Sequence, residues 1–150
     1  MCIRDSLKGK LAVANAKLAY QTFKEIFAGD RWEALEAKGA SAQRCLWAST
    51  STKNEEYRDT IYVEELVGAE TVNTMPRELV EAVLDHGKIA DTLEQDVDGA
   101  RKVLEDLKAA GIDYDDVVET LEREGVEKFA DSFVELLDGV RAKRGELVAA

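Results

Sequence analysis

With 150 residues, 45% apolar and 34% charged, the chain has globular rather than disordered composition and length for one domain with a real core. Its net charge of −11 argues against a nucleic-acid surface: residues 1–54 carry nine Lys/Arg against five Asp/Glu, but the remainder carries eleven against twenty-six. Two cysteines and one histidine leave no disulfide framework, zinc set or multi-histidine metal site, and no apolar run reaches membrane-span length, so a reducing cytoplasmic setting is expected.

The first six residues, MCIRDS, fit nothing that follows. They resemble a translated adaptor scar, which would make them a non-native leader and place residue 7 inside a longer protein; an ordinary disordered N-terminus is the other reading. From Leu7 to Ala28 the pattern is helical, with Val13, Ala16, Tyr20, Phe23 and Phe27 at spacings of three and four. Gly29 ends this helix. Asp30 is expected to cap a short helix, with Glu33 in the capping-box position and Gly39 closing it. Arg44 to Ser49 is too short for a helix and reads as a buried strand. A short helix is expected over Asp59 to Val67, ended by Gly68, and a second strand over residues 71–76, TVNTMP.

Pro76 suits the first turn of the next helix, which runs to His86 and stops at Gly87. Asp98 is expected to open a helix carrying Val103, Leu104 and Leu107, closed by Gly111. Asp113 would cap another with Val117, Val118 and Leu121. A last helix carries the stripe Val126, Phe129, Phe133, Leu136, Leu137 and Val140. Helices alternating with strands point to βα units of a parallel sheet, yet two strands cannot form a sheet covered on both faces.

The segment LWASTSTKN (46–54) stands apart from its acidic, helical surroundings. At the C-terminal end of a parallel strand, where α/β folds bind ligands, it would deliver four hydroxyls, the ammonium of Lys53 and the amide of Asn54. Hydroxyls, loop N–H groups and one cation suit a phosphate monoester. The plainer reading is a polar turn with a solvated lysine. A Ser–Lys dyad or an imine-forming Lys53 would need a desolvated lysine, which a run of hydroxyls does not favour. The acidic clusters EQDVD (94–98) and DYDD (113–116) lack calcium-loop spacing and sit where helix N-termini favour negative charge. His86, at a helix C-terminus, reads as structural rather than catalytic.

Three blocks carry a resemblance: LKGKLAVANAKLAYQTFKEIF, LWASTSTKNEEYRDTIYVEELVGAETVNTMP and GVEKFADSFVELL. Together they resemble the C-terminal part of bacterial transaldolases, most closely the actinobacterial type, over residues 7–150 as a portion of one domain. The resemblance implies a (β/α)8 TIM barrel of the class I aldolase type, here mostly helical with two short parallel strands, Leu46–Thr50 as the seventh and Thr71–Thr74 as the eighth. It implies transfer of a dihydroxyacetone unit through a Schiff base, without a cofactor. The sugar phosphates would be sedoheptulose 7-phosphate, glyceraldehyde 3-phosphate, fructose 6-phosphate and erythrose 4-phosphate.

Ser49 matches the family's phosphate-contacting serine, and Lys53 takes the part of the basic residue after it. Thr50, Asn54 and Asn73 would stand at the pocket rim. Cys45 replaces the usual proline. The imine lysine and its proton-handling acids would lie upstream of residue 7, so no catalytic residue is expected in this chain and it would be inactive alone. The alternative is an acidic helical interaction module without catalysis. Neither reading calls for a metal, nucleic acid or membrane, and neither sets an oligomeric state.

Overall fold

The structure, a computed structural model, describes residues 7–149. The leader expected over residues 1–6 lies outside the described residues. Two compact units divide the chain, Met1–Ala110 and Gly111–Ala150. The first holds α1 (Leu11–Ile26), α2 (Gly29–Glu36), β1 (Cys45–Trp47), α3 (Ile61–Glu65), β2 (Thr71–Asn73), α4 (Arg77–His86) and α5 (Val97–Ala109); the second is α6 (Tyr114–Ala149).

The stripe on α1 decides the core of the first unit. Tyr20 clusters with Leu66 and Leu93, and Val13, Ala16, Phe23, Cys45 and Trp47 pack around them. Leu93 is 0% exposed, so its burial contributes about 2 kcal/mol. The two polar aromatics of this cluster find partners: the Tyr20 hydroxyl donates to Ala69 O at 3.0 Å and Trp47 Nε1 donates to Leu66 O at 3.2 Å. The far face of α1 packs against α5. Phe27 carries the stripe outward, meeting Trp32 edge-on with ring centroids 4.7 Å apart.

β1 and β2 pair in parallel, with Cys45 opposite Thr71, Leu46 opposite Val72 and Trp47 opposite Asn73. The expectation of a buried strand is corrected here. Alternation turns Cys45 and Trp47 toward the Tyr20 cluster, but Leu46 points to the other face and is 53% exposed. A parallel strand is buried only when both of its faces are covered.

Several helix starts shift by one or two residues. Ala28, not Asp30, is the N-cap of α2 and makes no side-chain cap bond, so Asp30 lies in the first turn and the capping box is not formed. Pro76 is the N-cap of α4 rather than its first residue. Asp96, not Asp98, caps α5: its carboxylate accepts from Gly99 N at 3.1 Å. An Asx side chain bonds two or three residues ahead, and Asp96, at φ +52°, reaches the third.

In the second unit the two expected helices are one. Asp113 caps α6 as anticipated, accepting from Asp115 N and Asp116 N at 3.1 and 3.3 Å. The helix then runs through Gly125 for 36 residues. One helical glycine costs about 1 kcal/mol against alanine, too little to interrupt a sequence of strong helix formers. The stripe Val126, Phe129, Phe133, Leu136, Leu137 and Val140 is exposed along its length, Phe129 at 83%.

Candidate functional site

The segment after β1 folds back toward the end of β2. Thr74 N and Thr74 Oγ1 both donate to Trp47 O, at 3.0 and 3.1 Å. Three residues on, Thr50 Oγ1 faces Asn73 Oδ1 at 2.8 Å and Thr74 O at 3.2 Å. Between these anchors Ser49 takes φ +55°, a left-handed conformation that ordinary residues avoid. The strand ends at Trp47, short of the Ser49 or Thr50 expected from sequence, and Ser49 lies in a loop on the C-terminal side of the strands.

That loop forms one wall of an open recess of about 490 Å³. Ser49, Thr50, Ser51, Lys53 and Asn54 line it, with Leu46, Trp47, Tyr57 and Tyr62 on the remaining sides. Lys53 Nζ donates to Ser51 Oγ at 3.4 Å, a long contact, and no carboxylate among the described residues pairs with it. Asn54 Oδ1 accepts from Glu56 N at 3.0 Å, an Asx turn that reverses the chain after the lysine. The recess thus offers an unpaired ammonium beside hydroxyls, over a partly apolar floor.

Of the five residues anticipated from sequence, Ser49, Lys53 and Asn54 share this recess with open access. Thr50 lines it but is only 3% exposed, its hydroxyl committed to β2. Asn73 does not line the recess; its side chain is the acceptor for Thr50. Tyr57 and Tyr62 were missed as lining residues, although both lie in the block KNEEYRDTIYVEEL that carries the resemblance. The Tyr57 ring also packs on Gly9, where a Cβ would meet Cζ at 3.2 Å.

A second recess, of about 440 Å³, lies between α1 and α5 and is lined by Lys17, Glu65, Lys102 and Asp106. Two of its lysines are held by neighbours: Lys17 Nζ donates to Gln95 O at 3.1 Å and lies 3.5 Å from Glu65, while Lys102 pairs with Asp106 at 2.7 Å. This makes it a structural clip. Within α3, Glu64 is buried: burial pushes its carboxyl up, but bonds from Lys88 N, Arg58 and Thr60 outweigh that and hold it below the ordinary value. His86 bridges Asp59 and Asp85 at 3.0 and 3.1 Å.

Comparison with known proteins extends over nearly the whole chain. Residues 3–140 match the family described as Transaldolase/Fructose-6-phosphate aldolase. A protein named Transaldolase from Acidothermus cellulolyticus is 55% identical over 146 residues, which cover 92% of this chain and 39% of the relative. One of the same name from Mycolicibacterium smegmatis is 51% identical, covering 97% of this chain and 38% of its own. Transaldolase 2 of Nostoc punctiforme is 49% identical, covering 92% and 37%. The chain therefore spans about two fifths of the length of the curated relatives it matches.

Proposed function

This chain belongs to the transaldolase/fructose-6-phosphate aldolase family, and we propose that it forms the phosphate-gripping wall of a transaldolase active site. Its α/β organisation, mostly helical around two parallel strands, is that of part of a (β/α)8 barrel. The observation that carries the proposal is the recess at the C-terminal end of β1, where Ser49, Ser51 and Lys53 meet. A sugar phosphate would seat its phosphoryl oxygens on the Ser49 and Ser51 hydroxyls. The Lys53 ammonium would balance their charge. Tyr57 and Tyr62 would flank the sugar.

The reaction of the complete enzyme would pass a dihydroxyacetone unit between sugar phosphates of the kinds named above. A lysine amine condenses with the ketose carbonyl, losing water to form the Schiff base that carries the unit. In the family that lysine belongs to the fourth strand, and neither β1 nor β2 matches it, so the chain on its own would bind phosphate weakly and transfer nothing. Lys53 stays a phosphate ligand rather than a nucleophile, because it stands exposed among hydroxyls instead of in the dry pocket an imine lysine needs.

Two measurements test this. Titrating inorganic phosphate into the labelled chain should move amide resonances of residues 48–54, and Lys53→Gln should weaken the response about tenfold. Shifts scattered elsewhere would overturn the phosphate assignment. Treatment with fructose 6-phosphate and borohydride should leave the mass unchanged, and a reduced adduct on any lysine would refute the inactivity of the isolated chain.

A further inference from the structure

We infer that Thr50 is a positioning residue for this recess: its buried hydroxyl, locked to the end of β2, holds Ser49 in the left-handed conformation that presents the serine to a phosphate. The inference rests on the phosphate reading above and deepens it by naming what keeps the grip in shape.

The argument starts from a cost. A non-glycine residue at φ +55° is disfavoured by the clash of its Cβ with the backbone and persists only where its surroundings over-determine it. Ser49 has no side-chain bond of its own among the described residues to account for the conformation. The restraint comes from both flanks. On one side Trp47 O is held by the amide and hydroxyl of Thr74; on the other Thr50 Oγ1 reaches Asn73 Oδ1 and Thr74 O. Two residues of β2's end thus pin the chain before and after Ser49. The intervening backbone must make its reversal within Ala48 and Ser49, and a left-handed turn at Ser49 accomplishes that.

Threonine suits the position for two reasons. Its hydroxyl supplies the donor, and its β-branch restricts χ1, so the hydroxyl is held toward β2 rather than into solvent. At 3% exposure that hydrogen bond is shielded from competing water. With Thr50 turned toward β2, its neighbours Ser49 and Ser51 are left to the recess. The first three of the four consecutive hydroxyls therefore divide into two jobs, a structural one for Thr50 and a ligand-facing one for the serines beside it.

The test compares the full chain with Thr50→Val, Thr50→Ser and Asn73→Ala. In the wild type, Ser49 should show the strong intraresidue HN–Hα cross-peak that a positive φ produces. Thr50→Val should lose it and bind inorganic phosphate about tenfold more weakly. Thr50→Ser keeps the donor and should restore both. Asn73→Ala removes one of the two acceptors from the opposite strand and should give an intermediate loss, which keeps the inference testable if Thr50→Val does not fold. Retention of the cross-peak in Thr50→Val, or phosphate binding by that variant equal to wild type, overturns the positioning role. A wild type whose residues 48–54 ignore phosphate is the distinct failure of the underlying reading; wild-type binding with an indifferent Thr50→Val is the failure of this inference.

Discussion

Gly68 lies directly against Leu93: a Cβ placed on the glycine would stand 2.6 Å from Leu93 Cδ2 and 2.8 Å from its Cβ. The contact lets the segment before β2 close on the one fully buried leucine of the core, while Leu93 N donates to Val67 O at 2.9 Å beside it. Gly68 was read from sequence only as a helix stop. Its stronger reason to be glycine is the absence of a side chain. Gly68→Ala should destabilise the first unit by about 1–3 kcal/mol through overpacking, read as a lower midpoint in urea unfolding. An unchanged midpoint would mean that Leu93 has room to move aside.

Glu64 makes a second prediction about the same unit. Glu64 Oε1 accepts from Thr60 Oγ1 at 2.9 Å and from Lys88 N at 3.1 Å, and Oε2 meets Arg58. Glu64→Gln puts an amide donor where one set of donors now points, and should cost about 2–3 kcal/mol. Arg58→Met should cost less than about 1 kcal/mol, because that guanidinium is more than half exposed. Equal losses in the two variants would contradict the assignment of the carboxylate, rather than the ion pair, as the organising group.

The His86–Asp59 pair predicts a pH dependence. Hydrogen bonds to Asp59 and then Asp85 raise the His86 pKa above 6.5, and the bond to His86 lowers that of Asp59 below 3.8. The raised histidine stabilises the fold fully below its unfolded value and stops doing so as pH climbs through the folded one. The depressed aspartate contributes above its unfolded value and ceases to as pH falls through the folded one. The pair therefore helps most between the two ordinary values. Both groups are solvent-exposed, so the effect is small. Following the imidazole carbon protons by NMR, Asp59→Asn should lower the His86 titration midpoint toward its ordinary value; a midpoint that does not move would remove Asp59 as the partner.

In α6, Gly125 and Gly139 meet no other group within 4 Å of where a Cβ would stand. Alanine at either site should raise helix content, by about 0.5–1 kcal/mol of helix stability each. Far-UV circular dichroism of the single and double variants checks this. A loss of helicity would show that one of these glycines is needed for close approach by another surface.

Lys53 predicts a salt effect. As the one cation lining the recess among the described residues, and exposed, it should make phosphate binding fall with ionic strength. In Lys53→Gln that dependence should flatten. A slope that survives the substitution would assign the attraction to another cation.

Much of this protein is written locally along its chain. Periodicity placed α1, Pro76 and Gly87 bracketed α4, Gly111 marked the end of α5, and the hydroxyl run after Trp47 pointed to the recess, whereas Gly29, expected to end α1, begins α2. These are properties that a segment carries within itself: its apolar face, its stop residue, its donors. What the tertiary structure decided is which groups meet. Leu93 sits in a polar stretch with no pattern around it, yet it fills the core because Tyr20 and Leu66 converge on it from distant positions. Leu46 looks like core but is left exposed, since nothing covers its face of β1. Thr50 and Ser49 are adjacent hydroxyl residues, and only the end of β2 distinguishes them by capturing one and turning the other outward. Local spacing can show that a side chain has a face to bury or a proton to donate. The partner that receives it is chosen by chain closure across 20 residues or more, where local periodicity is silent.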